Sequence, residues 1–163
     1  MQLFLLRHSK SVPDAYDLDD HHRSLSSRGI GDAKTLASFI FKKKIKFDQV
    51  LCSSSIRTVQ TLDILKEDND SIFKNLSITK KLYLASDIII SRIINNSDAN
   101  CLLIIAHNPG ISSLISILNN SKYQDYPTST LAHFTINDSD NNLKEINTEF
   151  IIRPMDAKII GFG

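Results

Sequence analysis

Apolar positions along this chain follow two rhythms. Runs at 2–7 (QLFLLR), 47–53 (FDQVLCS) and 101–106 (CLLIIA) predict strands, and the last is continuous enough for a strand buried on both faces. Between them, Ile30, Ala33, Leu36, Ala37, Ile40 and Phe41 recur at three-and-four spacing and predict a helix over about 28–43. The lysines at 42–44 complement the negative pole at its end. A second helix is predicted from about 55 to 66, with serines available as its cap, and "LSIT" at 76–79 reads as a short strand. Helices follow over 87–94, with Ser86 as cap, and over 111–118, where Ile111, Leu114, Ile115 and Leu118 share a face. Residues 12–27 are polar, carry Pro13 and predict a loop.

Beyond residue 120 the rhythm changes. Residues 130–137 and 143–152 alternate around the turn-forming "DSDNN", a hairpin signal. Strands interleaved with helices, then a hairpin, predict an α/β fold: a three-layer α/β/α sandwich with a mostly parallel central sheet and an antiparallel C-terminal edge.

A length of 163 residues predicts one domain over 1–163, and 42% apolar with 23% charged residues is a globular balance. With 19 basic and 18 acidic residues the net charge is +1, which gives no reason to expect a nucleic-acid or membrane surface. Any anion must therefore be held by local charge. The chain enters its first strand at once with no signal-peptide pattern, and its apolar runs are too short to span a bilayer. Cys52 and Cys101 both fall in strand-like runs without C-x-x-C spacing and read as buried thiols, so a cytoplasmic location is expected.

In an open parallel sheet, function collects at the carboxyl ends of the strands. Here the first strand ends in Arg7-His8, the second runs into "SSSIRT" with Arg57 in the next helical turn, and the 101–106 strand ends in His107 before "NPG". Two arginine forks and helix N-termini suit a phosphoryl group. A neutral imidazole can attack phosphorus, while the arginines and a second, protonated histidine stabilise the transition state. The alternative is ordinary pairing of the arginines with carboxylates such as Asp48 or Asp63. No histidine pair has metal-site spacing, so neither metal nor cofactor is expected; His21, His22 and His133 are assigned no role. Four residues separate Cys52 from Arg57, where a cysteine-dependent phosphatase loop needs five, so Cys52 reads as core.

"LLRHSKS", "SSSIRTVQT", "KLYLAS" and "IIAHNPG" resemble, in order and spacing, the motifs of the histidine phosphatase superfamily, with its phosphoglycerate mutase-like fold. The short form and the "HNPG" box are most similar to its SixA-like phosphohistidine phosphatase branch. The resemblance covers residues 3 to about 133, and "DHHRSLSSRG" is similar to the segment after the first motif. It implies that His8 is the nucleophile, that Arg7 and Arg57 bind phosphate, and that His107 completes the pocket. Ser9, beside the nucleophile, joins the substrate-binding side. Ser9 stands where glycine or alanine is usual, and Ser24 where proline is usual.

Members that cleave phosphate esters carry a glutamate as proton donor, whereas "KKLYLASDII" offers only Asp87. An alkoxide needs that proton more than a leaving imidazole does. The expected substrate is therefore phosphohistidine on a protein. The alternatives are a small phosphate ester with Asp87 as acid, or a module that only binds phosphate or phosphohistidine. Hydroxyls from residues 128–130 are further candidates at the mouth of the site.

Overall fold

The computed structural model describes residues 1–13, 19–68, 70–138 and 144–159. Six strands form one sheet: β1 (Gln2–Arg7), β2 (Gln49–Ser53), β3 (Leu76–Thr79), β4 (Cys101–Ala106), β5 (Leu131–Asp138) and β6 (Lys144–Ile152). Their order is β3-β2-β4-β1-β5-β6. The first four are mutually parallel; β5 runs antiparallel to both β1 and β6. The antiparallel C-terminal edge is as expected, while the turn expected between β5 and β6 lies largely outside the described residues.

Side-chain alternation along the strands separates two cores. From β1, Leu3 and Leu5 join α3 (Asp87–Asn95) and α4 (Gly110–Leu118) through Ile90, Ile94, Ile111, Leu114 and Ile115. Phe4 and Leu6 join α1 (Ser27–Lys42) and α2 (Ile56–Lys66) through Leu36, Ile40, Leu62 and Leu65 on the other face. Each such fully buried leucine contributes about 1.5–3 kcal/mol relative to exposure. A short α5 (Pro154–Ile159), absent from the expected elements, follows β6. No helix among the described residues is long and apolar enough to cross a membrane.

Two sequence expectations need correction. Helix α1 buries Gly29, Ala33, Leu36, Phe39 and Ile40, leaving Ile30 and Phe41 exposed. The stripe is set by Gly29, whose bare Cα lets the helix meet the Lys10 carbonyl; a Cβ there would lie 2.0 Å from that oxygen. The cysteines are free, but only Cys52 is fully buried, Cys101 being half-buried. Burial pushes their thiols up to about 12 and about 11 respectively, so both stay protonated.

Candidate active site

The sheet register brings the two histidines together. Arg7 pairs with Ala106 across β1 and β4, so His8 and His107 are the next residue on each of two adjacent strands. The alternation that turns Phe4 and Leu6, or Leu103 and Ile105, toward α2 continues to His8 and His107. Their rings lie 5.1 Å apart, and Arg57 in the first turn of α2 reaches both. Arg57 Nε donates to His8 Nε2 and Nη2 to His107 Nδ1, each at 3.3 Å. Arg7 falls on the opposite alternation, toward α4, and its Nη1 donates to the Tyr126 carbonyl at 2.5 Å.

The protonation of both rings follows from their partners. His8 Nδ1 lies 2.8 Å from the Ser9 carbonyl, which only accepts, so Nδ1 carries the proton and Nε2 a lone pair. His107 Nδ1 accepts from Arg57, so Nε2 carries its proton and donates to Ser53 Oγ at 2.7 Å. Burial, assisted by the neighbouring arginines, lowers His8 to about 4. Burial, the neighbouring His8 and the arginines lower His107 to about 3. Both imidazoles are neutral at pH 7. In the free protein the second histidine is therefore neutral, because two guanidinium groups and burial oppose a further positive charge; the expectation of a protonated His107 concerns the site with a phosphoryl anion in it.

The carboxylates beside the arginines are neither Asp48 nor Asp63. Asp20 sits on a single 3-10 turn, Asp20–His22, within the loop expected at 12–27. Its Oδ2 accepts from Arg57 Nη2 at 2.8 Å and from the Tyr83 hydroxyl at 2.7 Å. Although partial burial opposes its charge, these bonds together with Arg23 hold its carboxyl down at about 2. Asp125 lies 3.6 Å from Arg7 Nη1. Asp48 instead accepts from the Cys101 amide. Asp87 opens α3 and, among the described residues, forms no hydrogen bond or ion pair with His8, Arg7, Arg57 or His107.

The smaller polar residues hold this frame. Ser9 is fully buried; its amide donates to Thr61 Oγ1 and its hydroxyl accepts from Ser129. Ser129 also donates its amide to the Arg7 and His8 carbonyls, whereas Thr130 turns its hydroxyl to the Pro127 carbonyl. The 120–129 segment therefore clamps the end of β1. His21, to which the sequence assigned no role, stands on the same wall, with Nε2 2.9 Å from Ser54 Oγ and its ring against Tyr83. Tyr83 packs edge-on against His107, with centroids 5.5 Å apart. His133 stacks on Phe4 in the sheet, away from these groups.

One buried donor here has no protein acceptor. Arg7 Nε is unpartnered among the described residues. An unsatisfied buried N–H is costly, and an anionic oxygen satisfies it. Arg57 bonded to two neutral imidazoles, with the orphaned N–H of Arg7 on the adjoining strand end, makes a site that can bind and accept a phosphoryl group.

No family model matches the chain. Over 146 residues it is 25% identical to phosphohistidine phosphatase SixA of Escherichia coli K12, covering 86% of this chain and 89% of that protein. An uncharacterized protein of Mycobacterium leprae is 31% identical over 123 residues, covering 71% of this chain and 72% of its own length. In fold, the structure of the protein histidine phosphatase SixA complexed with tungstate matches with a TM-score of 0.79 at 22% identity, covering 96% of this chain and 99% of that one. These likenesses show that the chain is a homologue of phosphohistidine phosphatase SixA and has the phosphoglycerate mutase-like fold of the histidine phosphatase superfamily.

Proposed function

We propose that this chain is a phosphohistidine phosphatase that removes the phosphoryl group from a protein through a covalent intermediate on His8 Nε2. The observation that carries the reading is the state of His8: neutral, its Nδ1–H bound to the Ser9 carbonyl, its Nε2 lone pair directed at Arg57. A phosphoryl oxygen entering between the rings takes over the Arg57 Nε and Nη2 hydrogens, which frees that lone pair for in-line attack. The Arg7 Nε–H supplies a further donor for the charge that spreads over the oxygens. The new Nε2–P bond forms as the substrate's P–N bond breaks, and the leaving imidazole, protonated from solvent, departs neutral. Water then attacks phosphorus, the Nε2–P bond breaks, and phosphate leaves.

The substrate class rests on proton supply. Asp20 is the carboxylate against Arg57, and it stays ionised because its carboxyl is held at about 2. Asp87 has no bond to the site's arginines or histidines among the described residues. Among the described residues the carboxylates beside the arginines, Asp20 and Asp125, are both paired with them, so neither stands as a free acid for an alkoxide leaving group, whereas an imidazole needs such an acid less. The name of the Escherichia coli relative, a phosphohistidine phosphatase, supports the same class.

The test is a reaction with a protein domain labelled on a phosphorylated histidine, quenched in base. Base-stable, acid-labile label on His8, with no label and no turnover in His8→Ala, is the expected result. Full turnover by His8→Ala would overturn the mechanism. Phosphate binding without turnover or label would instead make the protein a reader. Equal or higher kcat/KM on sugar phosphates would move the substrate to small esters.

A further inference from the structure

We infer that Asp20 is a positioning residue for phosphoryl transfer, holding the Arg57 guanidinium so that one of its edges faces both histidines. The inference rests on the proposed role of Arg57 at the phosphoryl group. A guanidinium has a side edge, formed by Nε and Nη2, and an end edge, formed by Nη1 and Nη2. The side edge points at His8 Nε2 and His107 Nδ1. Among the described residues the end edge is gripped by Asp20: Nη1 donates to its main-chain carbonyl at 2.5 Å and Nη2 to its Oδ2 at 2.8 Å. The edge that Asp20 holds is therefore not the one a phosphoryl oxygen needs, and the carboxylate can stay in place throughout the reaction.

Asp20 is itself fixed from two further directions. Tyr83 donates to Oδ2, and Arg23 donates to Oδ1 at 3.0 Å. Arg23 is anchored by the Val12 carbonyl and Ser11 Oγ, in the segment that leaves β1. A continuous set of charged hydrogen bonds thus links the end of the strand that carries His8 to the arginine on α2. An arginine side chain has several rotatable bonds, and burial alone does not select which edge it shows. The side chain of Asp20 is 38% exposed, against 4% for Arg57, so its part in the fold's core is small.

The experiment is a cycle of Asp20→Asn, Arg57→Ala and the double variant, read as kcat and KM on an aryl phosphate, with inorganic phosphate as competitive inhibitor. Asn keeps one acceptor oxygen but sets an N–H against one of the two donor groups that converge on the carboxylate, and it carries no charge, so the side-chain half of the brace weakens while the main-chain carbonyl bond and the side-chain size remain. Expected for Asp20→Asn is a fall in kcat of about tenfold to a hundredfold, as for misplaced catalytic groups. The inhibition constant for phosphate should change far less, because removing a negative charge favours the anion. In the Arg57→Ala background the same substitution should cost almost nothing. Wild-type kcat in Asp20→Asn beside a crippled Arg57→Ala overturns the inference and leaves the phosphoryl site standing. So does an equal loss in both backgrounds. Wild-type turnover in Arg57→Ala overturns the role of Arg57 itself, and this inference with it. If Asp20→Asn does not fold, Tyr83→Phe probes the brace from its other side. A severalfold fall in kcat at unchanged KM is expected there, and unaltered kcat counts against the brace.

Discussion

His8 faces two arginines inside a largely dry pocket, and both circumstances oppose a proton on its ring. The consequence appears in the pH dependence of the reaction. With His8 as the proposed nucleophile the active form is the neutral imidazole, which persists until the pH falls through about 4. An unperturbed histidine would lose it near 6.5. Plotted as kcat/KM on an aryl phosphate and corrected for the substrate's own ionisation, the acid limb is expected near pH 4. A limb between 6 and 7 would mean that His8 is not held neutral in the free protein. Arg7, His8, Arg57 and His107 were legible because each closely follows an apolar run, and strand ends share one edge of the sheet. Asp20 was not. Four aspartates, Asp14, Asp17, Asp19 and Asp20, fall within seven residues of polar sequence, and no spacing marks the one that meets Arg57. Asp87 drew attention through its place in the family's motif order, yet the start of α3 gives it no bond to the four. Tyr83 lay hidden in the "KLYLAS" motif, where its pairing with Asp20 is purely tertiary.

The elements carry the pocket only because two of them approach very closely. Helix α4 begins at Gly110, three residues after His107, where a Cβ would lie 2.0 Å from the Ala85 carbonyl oxygen. That carbonyl belongs to the segment between Tyr83 and α3, so the wall with Tyr83 and the strand end with His107 are packed backbone against backbone. Gly110→Ala must push them apart, since the clashing atom is main chain rather than a flexible side chain. The expected cost is about 1–3 kcal/mol, read as a lowered Tm, together with a fall in kcat as Tyr83 withdraws from His107. Unchanged Tm and kcat would show that the two segments move freely. "HNPG" marked this junction in the sequence, but not what its glycine was for. Element type was largely legible because period-2 and period-3.6 patterns come from local side-chain geometry. The buried face of α1 was misread at Ile30 and Phe41, since the chain context of Gly29 rather than the apolar count sets the helix's rotation. The turn at 20–22 was beyond the sequence for the same reason: its bonds to Arg57 and Tyr83 join residues 37 and 63 apart.

At the scale of the whole molecule, a pair of neutral buried histidines couples stability to pH. In the unfolded chain these imidazoles take up protons near 6.5, whereas in the folded state His8 does so only near 4 and His107 near 3. Between those values the unfolded state binds more protons, so stability is complete above about 6.5 and is lost as the pH falls toward 4. For one such imidazole the loss is roughly 3 kcal/mol, which in a chain of this size lowers Tm by about 6–12 °C. Asp20 acts in a different window. Its carboxyl, held at about 2 in the fold, contributes stability that is present above the ordinary aspartate value and is lost as the pH falls from about 4 to 2. Thermal melts from pH 8 to pH 2.5 separate the two. His8→Asn should roughly halve the decline between 6.5 and 4, His107 supplying the rest, and leave the step that Asp20 contributes below 4, whereas Asp20→Asn should reduce that lower step and leave the upper decline. If His8→Asn declines between 6.5 and 4 as steeply as the wild type, His8 is not the buried neutral group that the proposed nucleophile requires.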